Sequence, residues 1–184
     1  MFLLPLPHFL VISGSGKKVG KTFLATALIR RFSASFPLVA LKISPHRHDS
    51  LGGAELVHES EGIRIFRETA PHGKNTGLFL AAGASESFFM ETNDRHLLQG
   101  LKIFSPDCNP SGLPVICESG ALGGLVRPGI RIFIAGSRDP GEELKLESMK
   151  SADLLLPARE FDPEEVAAGI QFQDGGWKLR DRSP

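Results

Sequence analysis

The segment GSGKKVGKT, residues 14–22, lies between two stretches of very different character. Before it, residues 8–13 contain four consecutive apolar residues, which is the pattern of a strand buried on both faces. After it, residues 21–32 place their large apolar side chains on one face of a helix. Buried strand, glycine-rich loop and amphipathic helix follow in the order that a phosphate-binding loop requires. We therefore predict that this loop binds phosphate.

The loop departs from the strict pattern G-x-x-x-x-G-K-S/T at one position, where Ser15 stands in place of the first glycine. Glycines flank that serine on both sides, so backbone freedom is available next to it. In such loops the backbone N–H groups and the helix N-terminus attract phosphate. Lys21 is expected to neutralise the outer phosphates, and the hydroxyl of Thr22 to bind Mg²⁺. The predicted nucleotide contacts are Gly14, Ser15, Gly16, Lys17, Lys18, Val19, Gly20, Lys21, Thr22 and Phe23.

The rest of the chain alternates strand and helix patterns. Strands are predicted at residues 37–43, 62–70, 85–92, 113–119, 130–136 and 152–157. Helices are predicted at residues 74–84, 139–150 and 162–170, the last with Asp162 as N-cap and Pro163 at its first position. Residues 171–179 form a small hairpin that turns at residues 174–176. We predict one α/β phosphate-loop domain over residues 1–184, a mainly parallel sheet with helices on both faces.

The amino-acid composition indicates which classes of partner and which cellular compartment to expect. Lys plus Arg and Asp plus Glu both number 21, so the overall charge does not indicate binding to nucleic acid or to an anionic membrane. No apolar stretch approaches the roughly 20 residues of a membrane-spanning helix, and we expect a soluble protein. The two cysteines, Cys108 and Cys117, lack disulfide or zinc-site spacing, which favours a reducing compartment such as the cytoplasm.

Two acidic residues are candidates for holding Mg²⁺. Glu118 ends the apolar strand at residues 113–119, where a parallel sheet presents ligand-binding side chains; an ordinary surface acid is the alternative. Asp49 closes the segment LKISPHRHD, residues 41–49, which we place after the strand next to the phosphate loop. His46 and His48 lie in that segment, without a third nearby ligand for zinc, and a solvated polar loop is the alternative.

The loop spacing resembles G-T-x-T-x-V-G-K-T of dethiobiotin synthetases, and more broadly the P-loop class that contains the molybdopterin-guanine dinucleotide adaptor proteins, the MobB family. In a related branch a signature lysine occupies the position of Gly16, so Lys17 is not assigned that role. Lys42 with the histidines and Asp49 looks like the histidine-rich segment of MobB proteins. Residues 73–84 are similar to their G-K-D-S-x-x-x-x-x-A-G-A element, with Asn75 replacing the aspartate, and VICESGAL resembles their strand ending V-E-G, with Ser119 replacing the glycine.

This resemblance implies Mg²⁺-dependent binding of a purine nucleotide, GTP or ATP with GTP preferred, weak hydrolysis, and assistance to an enzyme of molybdenum-cofactor biosynthesis. The candidate catalytic residues are Lys21, Glu118 and Asp49. The candidate metal ligands are Thr22, Glu118 and Asp49. No N-K-x-D guanine motif is present, and residues 135–140 are the candidate base-contacting loop. A symmetric homodimer is the expected assembly.

Two alternatives remain open. Residues 118–128, ESGALGGLVRP, resemble the E-G-A-G-G-x-x-V-P run of dethiobiotin synthetases, which implies an ATP-dependent ligase or small-molecule kinase acting on a carboxylated substrate. A regulatory module with a degenerate nucleotide site is the other alternative, in which Ser15 and Ser119 mark the loss of function.

Overall fold

A computed structural model describes residues 3–46, 53–73, 76–120, 122–136 and 143–180. They form an α/β structure around an eight-stranded sheet with the order β3-β4-β5-β2-β6-β1-β7-β8, and a separate two-stranded hairpin. The strands are β1 Leu4–Gly14, β2 Val39–Ser44, β3 Ala54–Ser60, β4 Ile63–Glu68, β5 Glu86–Thr92, β6 Val115–Ser119, β7 Val126–Ala135, β8 Leu154–Pro157, β9 Ile170–Gln173 and β10 Gly176–Leu179. Neighbouring strands from β5 to β8 are parallel, whereas β3 and β4 are antiparallel. The predicted mainly parallel sheet is confirmed.

Helices cover both faces of this sheet. They are α1 Lys21–Ser33, α2 Gly77–Ala81, α3 Leu97–Cys108, α4 Glu143–Lys150 and α5 Pro163–Ala168. Alternation along β1 sends Leu10 and Ile12 into the apolar core beneath α1, while Phe9 and Val11 enter a second core beneath α3. All four of these side chains are fully buried. A strand with apolar residues on both faces is therefore covered by a helix on each face, as predicted.

The order of the strands corrects one expectation. We placed the second strand next to the phosphate loop, but β6 lies between β1 and β2 and pairs with both in parallel register. The crossover through α1 therefore passes over β6, and α1 contacts that strand. As a consequence, the carboxyl end of β6 lies between the carboxyl ends of β1 and β2.

Several element boundaries differ from the prediction. The first strand begins at Leu4 rather than at residue 8, because Leu4 to Leu6 also pair with β7. The helix α3 was not predicted, and neither was the edge strand β3. The short helix α2 occupies only the middle of the predicted range 74–84, of which residues 74 and 75 lie outside the described residues. Of the predicted helix 139–150, the described part is α4.

The C-terminal elements agree closely with their sequence signals. The Asp162 side chain accepts a hydrogen bond from the Glu164 backbone at 2.9 Å, so the predicted N-cap is present, although α5 ends at Ala168. The predicted hairpin is β9 and β10, and its turn residues Asp174 and Gly175 both have positive φ, as in a type I′ turn.

No helix within the described ranges combines the length and the apolar composition needed to cross a membrane.

Candidate functional site

The glycine-rich loop, residues 14–20, turns tightly between β1 and α1. Gly20 has φ of 114°, a left-handed conformation that favours glycine, and a Cβ built there would lie 3.3 Å from the Phe161 ring. Lys18 also has a positive φ of 62°. At Gly14 a Cβ would lie 2.7 Å from the backbone oxygen of Ile134 on β7. Glycine is therefore required at the two ends of the loop. At Gly16, by contrast, a Cβ would have no other atom within 4 Å.

Ser15, the residue that breaks the strict phosphate-loop pattern, has a structural partner. Its hydroxyl accepts a hydrogen bond from the Gly136 backbone N–H at 2.6 Å, and its own N–H donates to the Ile134 oxygen at 3.1 Å. The side chain is buried. The serine therefore fastens the beginning of the loop to the end of β7, a bond that a glycine at this position lacks.

Lys21, the predicted phosphate ligand, begins α1 and folds back over the loop. Its ammonium Nζ donates to the Gly16 oxygen at 2.5 Å. The contact joins residues five apart and holds the positive charge of the first residue of α1 against the backbone of the loop. Backbone dipoles and the lysine charge therefore act on the same small volume.

Thr22 and Glu118, predicted from separate parts of the chain to share a metal ion, meet at the edge of the sheet. The Thr22 hydroxyl donates to Glu118 Oε2 at 2.7 Å. The other carboxylate oxygen, Oε1, lies 3.3 Å from the ammonium of Lys42 on β2. The Glu118 side chain is only 8% exposed, so it is a buried carboxylate with a hydroxyl on one side and a cation on the other.

The donor set at this point fits Mg²⁺. A hydroxyl and a carboxylate are hard oxygen ligands, and Mg²⁺ typically takes one or two such protein ligands and completes its shell with phosphate and water. Across the part of the chain that the structure describes, no three His, Cys, Asp or Glu side chains come together as a metal site of their own. Asp49, the other predicted metal ligand, and His48 lie outside the described residues.

An open cleft of about 840 Å³ runs along the carboxyl ends of β1, β6, β2 and β5. At one end it is lined by the loop and by Thr22 and Glu118, and at the other by Phe89, Thr92 and Leu97. His46 lines it as well, whereas the sequence had left its role open. Phe23, a predicted nucleotide contact, also borders the cleft and is 63% exposed. The cleft is larger than a phosphate chain alone requires.

A second cavity of about 810 Å³ adjoins the opposite side of the same loop. It is bounded by Ser15 to Val19, by the end of β7 and by residues that follow β8, including Arg159 and Glu160. The predicted base-contacting segment, residues 135–140, contributes Ala135 and Gly136, and its remaining residues lie outside the described ones. Residues of the loop thus line both cavities.

Cys117 precedes Glu118 but faces the other side of the sheet. Its thiol is fully buried, and burial, reinforced by the neighbouring Glu118 carboxylate, raises its pKa well above the usual range. A thiol held in its protonated form is a poor nucleophile. Cys117 is therefore part of the core and not of the site.

Sequence reasoning gave Lys42 no role of its own beyond its place in the histidine-rich segment. Its position opposite Glu118 depends on β6 and β2 being neighbours, which the order of elements along the chain does not reveal. The available signal was a lysine within an otherwise apolar strand, VALKIS, where a charged side chain needs a partner.

The chain matches no protein-family model, no curated protein and no solved structure. The functional interpretation therefore depends on the geometry of this site and on the motif resemblances alone.

Proposed function

We propose that this protein binds a purine nucleotide together with Mg²⁺ at the glycine-rich loop. The observation that carries the proposal is the meeting of Thr22 and Glu118, at 2.7 Å, beside a loop over which Lys21 is already folded. Glu118 is far from Lys21 and Thr22 in the sequence, and an ordinary strand-to-helix turn gives no reason for a buried carboxylate to lie at its end.

In this proposal the loop N–H groups and Lys21 bind the phosphates, and Thr22 and Glu118 hold Mg²⁺. The metal supplies charge neutralisation between phosphate oxygens. The base occupies the second cavity, beside Ala135 and the residues that follow β8. GTP is the preferred nucleotide by resemblance to the MobB family, with ATP as the alternative.

Weak hydrolysis is the second element of the proposal. Two carboxylates line the cleft among the described residues, Glu118 and Asp94. Glu118 is engaged by Thr22 and Lys42, so it is poorly placed to take a proton from water. Asp94 follows β5, which is separated from β1 by two strands. We therefore propose an adaptor that assists a molybdenum-cofactor enzyme in the cytoplasm, as in MobB proteins, rather than a fast hydrolase.

A ligase or kinase of the dethiobiotin-synthetase kind is the second candidate. The observation that favours it is the extent of the cleft, which continues past the loop to Phe89 and Leu97 and leaves space for another substrate. Phosphate release that depends on a small carboxylic acid would support this candidate over the adaptor.

Titration with fluorescent GTP and ATP analogues, with and without Mg²⁺, tests the proposal. We expect the wild-type protein to bind at least one analogue, and Mg²⁺ to tighten that binding. Glu118→Gln keeps the shape of the side chain but loses its charge, so it should bind the metal-free nucleotide normally and lose the Mg²⁺ effect. Glu59→Gln, at an exposed position of β3, is the matched control. If the wild-type protein binds neither analogue, the proposed function is wrong.

A further inference from the structure

Lys42 is paired with the metal candidate Glu118 by the register of the sheet. The two residues are direct partners on the neighbouring parallel strands β2 and β6, so their side chains leave the same face at the same level. Their charged atoms lie 3.3 Å apart, with side-chain exposures of 21% and 8%. The pair is therefore largely shielded from water, unlike ion pairs between two long side chains on an open surface.

The pair offsets the energetic cost of burying the Glu118 carboxylate. A buried carboxylate without a cation is strongly unfavourable, and the Thr22 hydroxyl supplies a hydrogen bond but no charge. Lys42 supplies the charge on the oxygen that Thr22 does not use. Each carboxylate oxygen of Glu118 thus has a partner.

The same arrangement opposes metal binding. A divalent ion on Glu118 would lie within a few ångströms of the Lys42 ammonium, and in a partly buried site the repulsion between them is poorly screened. One of the two cations has to leave. Lys42 is on a flexible four-carbon stem and lines the open cleft, so its ammonium has a path away from Glu118.

We propose that Lys42 is a stand-in cation, which neutralises Glu118 when no metal is bound and opposes Mg²⁺ binding until phosphates bind. The inference rests on the proposed function, because it takes Glu118 as the metal ligand. The phosphates bring the negative charge that lets Mg²⁺ displace the ammonium, so metal and nucleotide enter together. The lysine thereby regulates the order of binding rather than the chemistry.

Metal binding to the nucleotide-free protein tests the inference. The probe is Mn²⁺, which takes the same oxygen ligands as Mg²⁺ and whose free form gives an electron paramagnetic resonance signal. Lys42→Met and Lys42→Gln both remove the charge, and we expect each to bind Mn²⁺ roughly three- to tenfold more tightly than the wild type. Two neutral variants are used so that a folding defect in one, detected by circular dichroism, leaves the other to decide.

Three controls define the outcome. Lys42→Arg keeps the positive charge and should bind Mn²⁺ as weakly as the wild type. Lys102→Met removes an exposed lysine from α3 and should have no effect. Glu118→Gln should abolish the gain when combined with Lys42→Met. Equal or weaker Mn²⁺ binding by both neutral variants, or no binding by any variant, would overturn the inference.

A different measurement, the binding of fluorescent nucleotides, tests the proposed function. Absence of binding of the fluorescent nucleotides to the wild-type protein refutes nucleotide binding, whatever Mn²⁺ does. Normal Mg²⁺-dependent nucleotide binding with unchanged Mn²⁺ affinity in the Lys42 variants refutes only the stand-in role.

Discussion

Replacement of Lys21 by alanine separates a phosphate loop from an ordinary turn. The ammonium of Lys21 donates to the Gly16 oxygen at 2.5 Å, so its charge is held against the loop to which the proposal assigns the phosphates. Alanine removes this charge and leaves the loop backbone in place. We expect Lys21→Ala to weaken nucleotide binding strongly while the fold is retained.

The magnitude follows from the type of contact that is lost. Charge-assisted hydrogen bonds contribute about 1.5–3 kcal/mol, which corresponds to a loss of affinity of roughly tenfold to 150-fold. The folded protein loses the hydrogen bond to the Gly16 oxygen at a partly exposed position, and the loss of that bond should lower its free energy of unfolding by about 1 kcal/mol or less. Binding and stability are therefore predicted to respond by different amounts.

Fluorescence titration with a labelled GTP measures the first effect, and urea unfolding followed by circular dichroism measures the second. Lys102→Ala, which removes an exposed lysine from α3, is the control for the change in net charge. Unchanged nucleotide affinity in Lys21→Ala would show that the charge over the loop does not contact phosphate. The phosphate-loop interpretation would then be refuted.

Three further predictions concern stability and thiol chemistry. A Cβ at Gly129 would lie 2.2 Å from a backbone oxygen, so Gly129→Ala should lower the free energy of unfolding by about 3 kcal/mol. A Cβ at Gly16 would lie in open space, so Gly16→Ala is the control and should change the free energy of unfolding little. Thermal unfolding of the two variants and the wild type measures the difference. Trp177→Ala empties a fully buried position and should cost about 3–5 kcal/mol in guanidinium unfolding. Burial raises the pKa of the Cys108 thiol to about 11 and raises the pKa of the Cys117 thiol well above its usual value, so fewer thiolates exist at pH 8 than in the unfolded chain. Ellman's reagent should therefore react slowly with native protein at that pH and rapidly after denaturation, and fast native reaction would contradict the burial.

Local sequence patterns were sufficient to predict the central elements of the fold. The apolar run that ends at the glycine loop, the helix after it and the strand before Glu118 each carry their own signal, because burial on both faces requires consecutive apolar residues. The meeting of Thr22 with Glu118 was also predicted, since carboxyl ends of parallel strands gather at one edge. Asp49, predicted on weaker grounds, remains a prediction.

The elements that were missed lack such signals. The helix α3 contains Pro106 and has no side-chain cap at His96, so its ends are not marked in the sequence. The strand β3 is largely exposed at the edge of the sheet, where burial does not impose an apolar pattern. The pairing of Lys42 with Glu118 is a property of strand order, and strand order depends on tertiary packing.

The C-terminal hairpin closes over the beginning of the chain. The Trp177 ring packs edge-on against Phe32 at 4.9 Å between centroids, and its backbone lies against Gly129, on the same side as the oxygen of Pro7. Residues 170–179 follow every strand of the large sheet along the chain. During synthesis, the apolar surface of β1 and α1 that the hairpin covers therefore stays exposed to water until residues 170–179 have left the ribosome. A chain that lacks residues 170–179 should consequently keep this apolar surface exposed and be cut by proteases faster than the chain that contains them.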